Sequence, residues 1–166
     1  MQHRSGTLWR PILLTLLLLS ACGQQGPKGE VRRDTVTEFE TVLTLQDTDG
    51  RESDEFERDE AITMIIAIRN MTNAEKTLTL TTTQSYDCVV SDPDGREIWR
   101  WSNGRMFAQI LTEMRFAPGE EKRFAEVWDQ LRSDGSSPAP GRFEAVGTIP
   151  AGIPGTTSGS VPFSIR

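Results

Sequence analysis

Residues 86–102 constrain the fold more than any other stretch. They read Tyr86-Asp87-Cys88-Val89-Val90-Ser91-Asp92-Pro93-Asp94-Gly95-Arg96-Glu97-Ile98-Trp99-Arg100-Trp101-Ser102. Two apolar runs flank Asp92-Pro93-Asp94-Gly95, which is the pattern of a β-hairpin. Proline presets φ at the second turn position, Asp94 suits the third, and Gly95 takes the left-handed conformation that a three-residue hairpin loop needs. With Asp92 paired to Arg96, Val90 would face Ile98 and Val89 would face Trp99. Alternation would then put Tyr86, Cys88, Val90 and Ile98 on one face, and Val89, Trp99 and Trp101 on the other. Both faces are apolar, so both need cover. The Cys88 face is assigned to the core. The tryptophan face has two candidate covers: the next segment, through Met106, Phe107, Ile110 and Leu111, or a partner protein anchored on Trp99 and Trp101. The local segment is preferred, because connections usually cover their neighbours.

Strand patterns recur along the chain. Residues 35–45 alternate and are rich in β-branched side chains, and Asp47-Thr48-Asp49-Gly50 ends them. An acidic loop occupies residues 52–60. Residues 62–69 are apolar in both phases, as in a central strand. Leu78-Thr79-Leu80-Thr81 is another strand. Residues 106–116 fit a helix or a strand, since Phe107, Ile110, Leu111 and Met114 have helical spacing. Ala117-Pro118-Gly119-Glu120 is a turn, and strands follow at 122–128, 141–149 and 161–165. Seven to eight short strands punctuated by turns predict an all-β antiparallel sandwich over residues 35–166.

Residues 1–21 read as an export signal. Arg4 and Arg10 precede an uncharged run from Ile12 to Leu19 that is too short for a spanning helix, which needs about 20 apolar residues. Leu19-Ser20-Ala21-Cys22 resembles the lipobox of bacterial lipoproteins. That resemblance implies cleavage between Ala21 and Cys22 and a diacylglycerol on the Cys22 thiol. Residues 22–34 then form a flexible tether of glycine, proline and charged residues. The expected location is a bacterial membrane, reached through the Cys22 lipid. Gly23 differs from the aspartate of an inner-membrane retention signal, so the outer membrane is favoured in a cell with two. With Cys22 lipidated, Cys88 has no disulfide partner and reads as a small buried hydrophobe.

Composition excludes several functions. The formal net charge is −6, and loss of Arg4 and Arg10 with the signal would lower it further. An acidic domain lacks the basic footprint of a nucleic-acid binder. The one histidine is His3, so histidine-dependent nucleophilic catalysis and histidine metal sites are excluded after cleavage. Asp47-Thr48-Asp49-Gly50 opens like a calcium loop but places Arg51 and Glu52 where an oxygen ligand and a glycine are required. Asp87, Asp92 and Asp94 are assigned to turn geometry. No enzyme activity, metal or cofactor is expected.

An ordered set of residues completes the pattern: Asn70, Leu78-Thr79-Leu80, Gln84-Ser85-Tyr86-Asp87, Asp94-Gly95-Arg96-Glu97-Ile98-Trp99-Arg100-Trp101-Ser102, Phe107, Pro118-Gly119-Glu120, Trp128-Asp129 and Pro140-Gly141-Arg142-Phe143. Over about residues 62–148 the chain resembles the BsuPI family of intracellular proteinase inhibitors. The resemblance implies an immunoglobulin-like β-sandwich and a protein partner, a serine protease first among them. An exported copy would not meet a cytoplasmic protease, so the target stays open, as does a structural envelope lipoprotein without inhibitory action. Residues 131–140, with Arg132 and Ser133 at their start, form the most inhibitor-like loop, because a proline-stiffened segment can enter a protease cleft as an extended strand, although a variable surface loop is the preferred reading. Trp99, Trp101, Arg132 and Ser133 are the candidate partner contacts.

Overall fold

A computed structural model describes residues 37–166. The export signal, Cys22, the tether and the first two residues of the expected opening strand lie outside the described residues. The described residues contain ten strands and no helix: β1 Phe39–Gln46, β2 Glu55–Phe56, β3 Ile62–Asn70, β4 Lys76–Leu80, β5 Asp87–Ser91, β6 Glu97–Arg100, β7 Thr112–Phe116, β8 Glu121–Trp128, β9 Gly141–Thr148 and β10 Val161–Ile165. A three-stranded sheet, β1-β3-β8, faces a five-stranded sheet, β2-β10-β9-β5-β6, and β4 pairs with β7. The fold is a β-sandwich, with more strands than the seven to eight expected. One extra is β2, which pairs parallel to β10 inside the acidic loop. Two residues among carboxylates show no alternation, yet Phe56 is buried with its ring 5.9 Å from Phe163.

β3 is central because it has apolar side chains in both phases. Ile62, Met64, Ile66 and Ile68 point inward and are buried, while Ile65 and Ala67 are half-buried on the outer face. The sheets approach closely enough that a Cβ at Gly147 would lie 2.8 Å from Ile66 Cγ1. Asn70 ends β3 as a fully buried polar group with its capacity used. Its Nδ2 donates to the Ala74 and Ala117 carbonyls at 2.8 and 3.0 Å, and its Oδ1 accepts from Thr72 N and Oγ1 at 3.0 and 2.8 Å. Burial of an amide costs little when every donor and acceptor is paired.

The hairpin turn forms as its residues dictate. Gly95 has φ +77° and Asp92 N donates to Arg96 O at 2.9 Å. Asp92 Oδ1 accepts from Asp94 N and Arg96 N. Asp47-Thr48-Asp49-Gly50-Arg51 repeats this geometry with Gly50 also at +77°. The apparent calcium-loop opening is therefore a turn whose first aspartate is spent on backbone amides.

The expected strand register is overturned above the turn. Ser91 pairs with Glu97, but Val90 pairs with Trp99 and Val89 with Arg100, so Ile98 is an extra residue in a β-bulge. The bulge moves Trp99 onto the face of Val90. Trp101 N donates to Cys88 O at 2.9 Å and brings Trp101 to the same side. Both tryptophans turn inward, not onto an outer face with Val89. The ambiguous stretch is also settled: residues 105–111 are irregular and β7 begins at Thr112.

Candidate functional site

Two aromatic groups lie between β8 and the β5–β6 hairpin. In the first, Trp99 lies 6.0 Å from fully buried Trp128, whose Nε1 donates to Leu131 O at 2.8 Å. In the second, Tyr86 stacks on Phe124 of β8 at 5.2 Å and on Trp101 at 4.2 Å, and Trp101 meets Phe107 at 5.7 Å. Tyr86 Oη is 3.0 Å from Glu126, which points inward from β8. The Trp101 Nε1 is buried with no acceptor among the described residues, so ring stacking holds this side chain. The Arg105 guanidinium lies over the Trp101 ring, 4.5 Å from its centre.

Asp87 locks the base of the hairpin. Its nearly buried carboxylate accepts from Arg100 Nη1 at 2.8 Å and from Ser102 N and Oγ at 3.2 and 2.9 Å. Arg100 also pairs with Glu97. Its hydrogen bonds to the Glu97 carboxylate hold the guanidinium further towards its charged form, and Asp87 adds to this.

Cys88 is buried, as its sequence context suggests. Burial pushes its thiol up to about 12 from 9.0, and the neighbouring Asp87 and Glu126 charges add to the shift. Burial, with the Glu126 hydrogen bond, likewise pushes Tyr86 up to about 12 from 10.0. Both groups hold their protons more tightly in the folded chain than in the unfolded one. Their stabilising contribution is therefore complete below about pH 9 and is lost as pH rises from 9 through 12. Urea midpoints should fall across that window, and Cys88→Ala should flatten the lower part of the fall. A midpoint unchanged between pH 8 and pH 11 would contradict this.

The four sequence candidates separate into two places. Trp99, Arg132 and Ser133 line one shallow depression of about 290 Å³, with Arg100 and Asp129 at its margin. Trp101 belongs to the other aromatic group. The loop carrying Arg132 and Ser133 opens with a tight turn. Arg132 N donates to Ser136 O at 2.8 Å and Gly135 N to Arg132 O at 2.9 Å, with Gly135 at φ +82°. Ser133 N donates to Ile98 O, which pins this tight turn against β6. Asp134 Oδ1 accepts from Ser136 N and Oγ, and these bonds hold its carboxyl below the usual range. The Asp-Gly pair at 134–135 was the available sequence signal for a turn of this kind, masked by the prolines after it.

Residues 105–111 hold what the sequence reading missed. Only Phe107 folds back over Trp101. Met106 is 98% exposed, Ile110 59% and Leu111 72%. Among the described residues no group of three or more histidine, cysteine or carboxylate side chains gathers as a metal site.

The described residues thus form an all-β sandwich whose distinctive surface consists of loops braced by aromatic rings. The family model of BsuPI, intracellular proteinase inhibitor, matches residues 50–152. That is well over half of the chain, and the chain belongs to this family. No curated protein matches it in sequence. Among solved structures it is similar to a beta-glucosidase from Listeria innocua in complex with glucose, at 11% identity and TM-score 0.44, over 78% of this chain and 16% of that one. It is also similar to the alkylpurine DNA glycosylase AlkC of Pseudomonas fluorescens, at 11% identity and TM-score 0.47, over 78% of this chain and 31% of that one. The chain thus spans less than a third of either protein.

Proposed function

We propose that this chain is a non-catalytic, lipid-anchored binding module of the bacterial envelope that inhibits a serine protease of its own compartment. The observation that carries the reading is the family match over residues 50–152. It is supported by the lipobox-like Leu19-Ser20-Ala21-Cys22. The acidic net charge of −6 leaves membrane attachment to the lipid, because anionic headgroups repel such a domain. Each buried CH₂ of an acyl chain contributes about 0.8 kcal/mol, so two or three chains on Cys22 anchor stably.

The full chain, solubilised in detergent micelles, should be titrated against subtilisin-like, chymotrypsin-like and trypsin-like proteases. Saturable inhibition of at least one class is expected. Inhibition of none, with no protease recovered by pull-down from envelope extract, would leave the structural lipoprotein as the better account. Cys22→Ser should release the protein from membranes or leave its precursor uncleaved. Normal processing with full membrane retention would remove the anchor from the proposal.

A further inference from the structure

Resting on the inhibitor reading, we infer that residues 105–111 are the segment that enters the protease cleft, with Met106 seated in an apolar primary specificity pocket. Three large apolar side chains, Met106, Ile110 and Leu111, stand exposed within six residues. Single exposed hydrophobes are ordinary on a soluble surface, but a concentrated set marks a contact. Between Ser102 and Thr112 the chain carries no carboxylate, and Arg105 is its one charge. An acidic protein therefore presents an apolar, carboxylate-free loop, which suits an apolar cleft.

The backbone around Met106 is fixed from both sides. On one side, Arg105 N donates to Ser102 O at 3.1 Å, its Nε donates to Trp101 O at 2.9 Å, and its guanidinium lies on the Trp101 ring. On the other, Phe107 packs against the same ring, and Ala108 is tied to Thr83 by two hydrogen bonds of 3.0 Å. Arg105 and Phe107 thus grip Trp101 while Met106, between them, points to solvent. The column Phe124–Tyr86–Trp101–Phe107 carries this grip back to β8. A loop held this way binds with little ordering cost, and a single side chain in a pocket then supplies much of the affinity. The turn at residues 132–136 carries no large exposed apolar side chain.

Met106 supports no part of the core, so its replacement leaves the fold intact, which an unchanged melting temperature would verify. In the solubilised full chain, Met106→Glu should weaken inhibition of an apolar-pocket protease roughly a hundredfold, the loss of a strong anchor residue. Met106→Arg should lose the same inhibition and gain inhibition of a trypsin-like protease, because pocket chemistry sets the preference. A wild-type chain that inhibits while both variants inhibit equally would overturn this assignment and leave the proposed function standing. The contact would then lie elsewhere, as at the Arg132 turn, or these residues would rest on lipid. A wild-type chain that inhibits none of the three classes and recovers no protease from envelope extract would remove the proposed function, and this inference with it.

Discussion

Gly155→Ala is expected to be the most damaging conservative change in the sandwich. Gly155 sits at φ +84°, and a Cβ there would lie 1.8 Å from the Phe39 carbonyl oxygen and 2.7 Å from its carbon. Neither atom can swing aside as a flexible side chain would. Phe39 opens β1, is 1% exposed, and meets Phe116 edge-on at 5.2 Å. The Gly155 carbonyl also accepts from Thr41 Oγ1 at 2.7 Å, so the loop cannot move outward without breaking that bond. Left-handed backbone alone costs alanine about 1 kcal/mol relative to glycine. Forced separation of the loop from β1 should raise the total to about 3 kcal/mol or more, a large share of a typical stability of 5–15 kcal/mol. Gly152→Ala is the control. Gly152 has φ +69° but nothing within 4 Å of its added Cβ, so it should lose about 1 kcal/mol only. Equal urea midpoints for the two variants would show that the Phe39 approach is looser than the structure has it.

The parts of the fold that were legible in the sequence are those set by local chemistry. Asp92-Pro93-Asp94-Gly95 fixes its own turn, and the two-phase apolar run at residues 62–69 makes a central strand. Val161–Ile165 forms as a strand with the bounds its alternation implies. What sequence could not supply was register. One extra residue, Ile98, reverses the facing of everything beyond it, because strand side chains alternate with a period of two. That slip took Trp99 and Trp101 from an outer face to the interior side. The sequence pattern makes Met106, Phe107, Ile110 and Leu111 a cover, because apolar side chains usually seek one. Of these apolar side chains only Phe107 packs on Trp101, and the other three are left at the surface. Arg132 and Ser133 were grouped with the prolines that follow them, whereas Asp134 and Gly135 set the local conformation.

Trp128→Ala should cost about 3–5 kcal/mol, the range for truncating a large buried aromatic. Trp128 is fully buried at the end of β8, with Trp99 at 6.0 Å and Phe163 at 6.1 Å. Its loss opens a cavity that joins both sheets, and rigid strands on either side prevent collapse into it. Trp128→Phe separates packing from hydrogen bonding. It keeps most of the ring contact but leaves the Leu131 carbonyl, which accepts from Trp128 Nε1 at 2.8 Å, in need of another donor. That change should cost about 1–3 kcal/mol and should loosen the turn at residues 132–136, which follows directly. Residues 105–111 are braced by a different column, through Trp101, Tyr86 and Phe124. At temperatures where Trp128→Phe remains folded, protease inhibition should therefore stay within about twofold of wild type, since well-separated sites behave additively. A melting temperature lowered together with a large loss of inhibition would tie the contact to the Trp99–Leu131 depression. Lowered stability with inhibition intact would place it on the Met106 side of the hairpin.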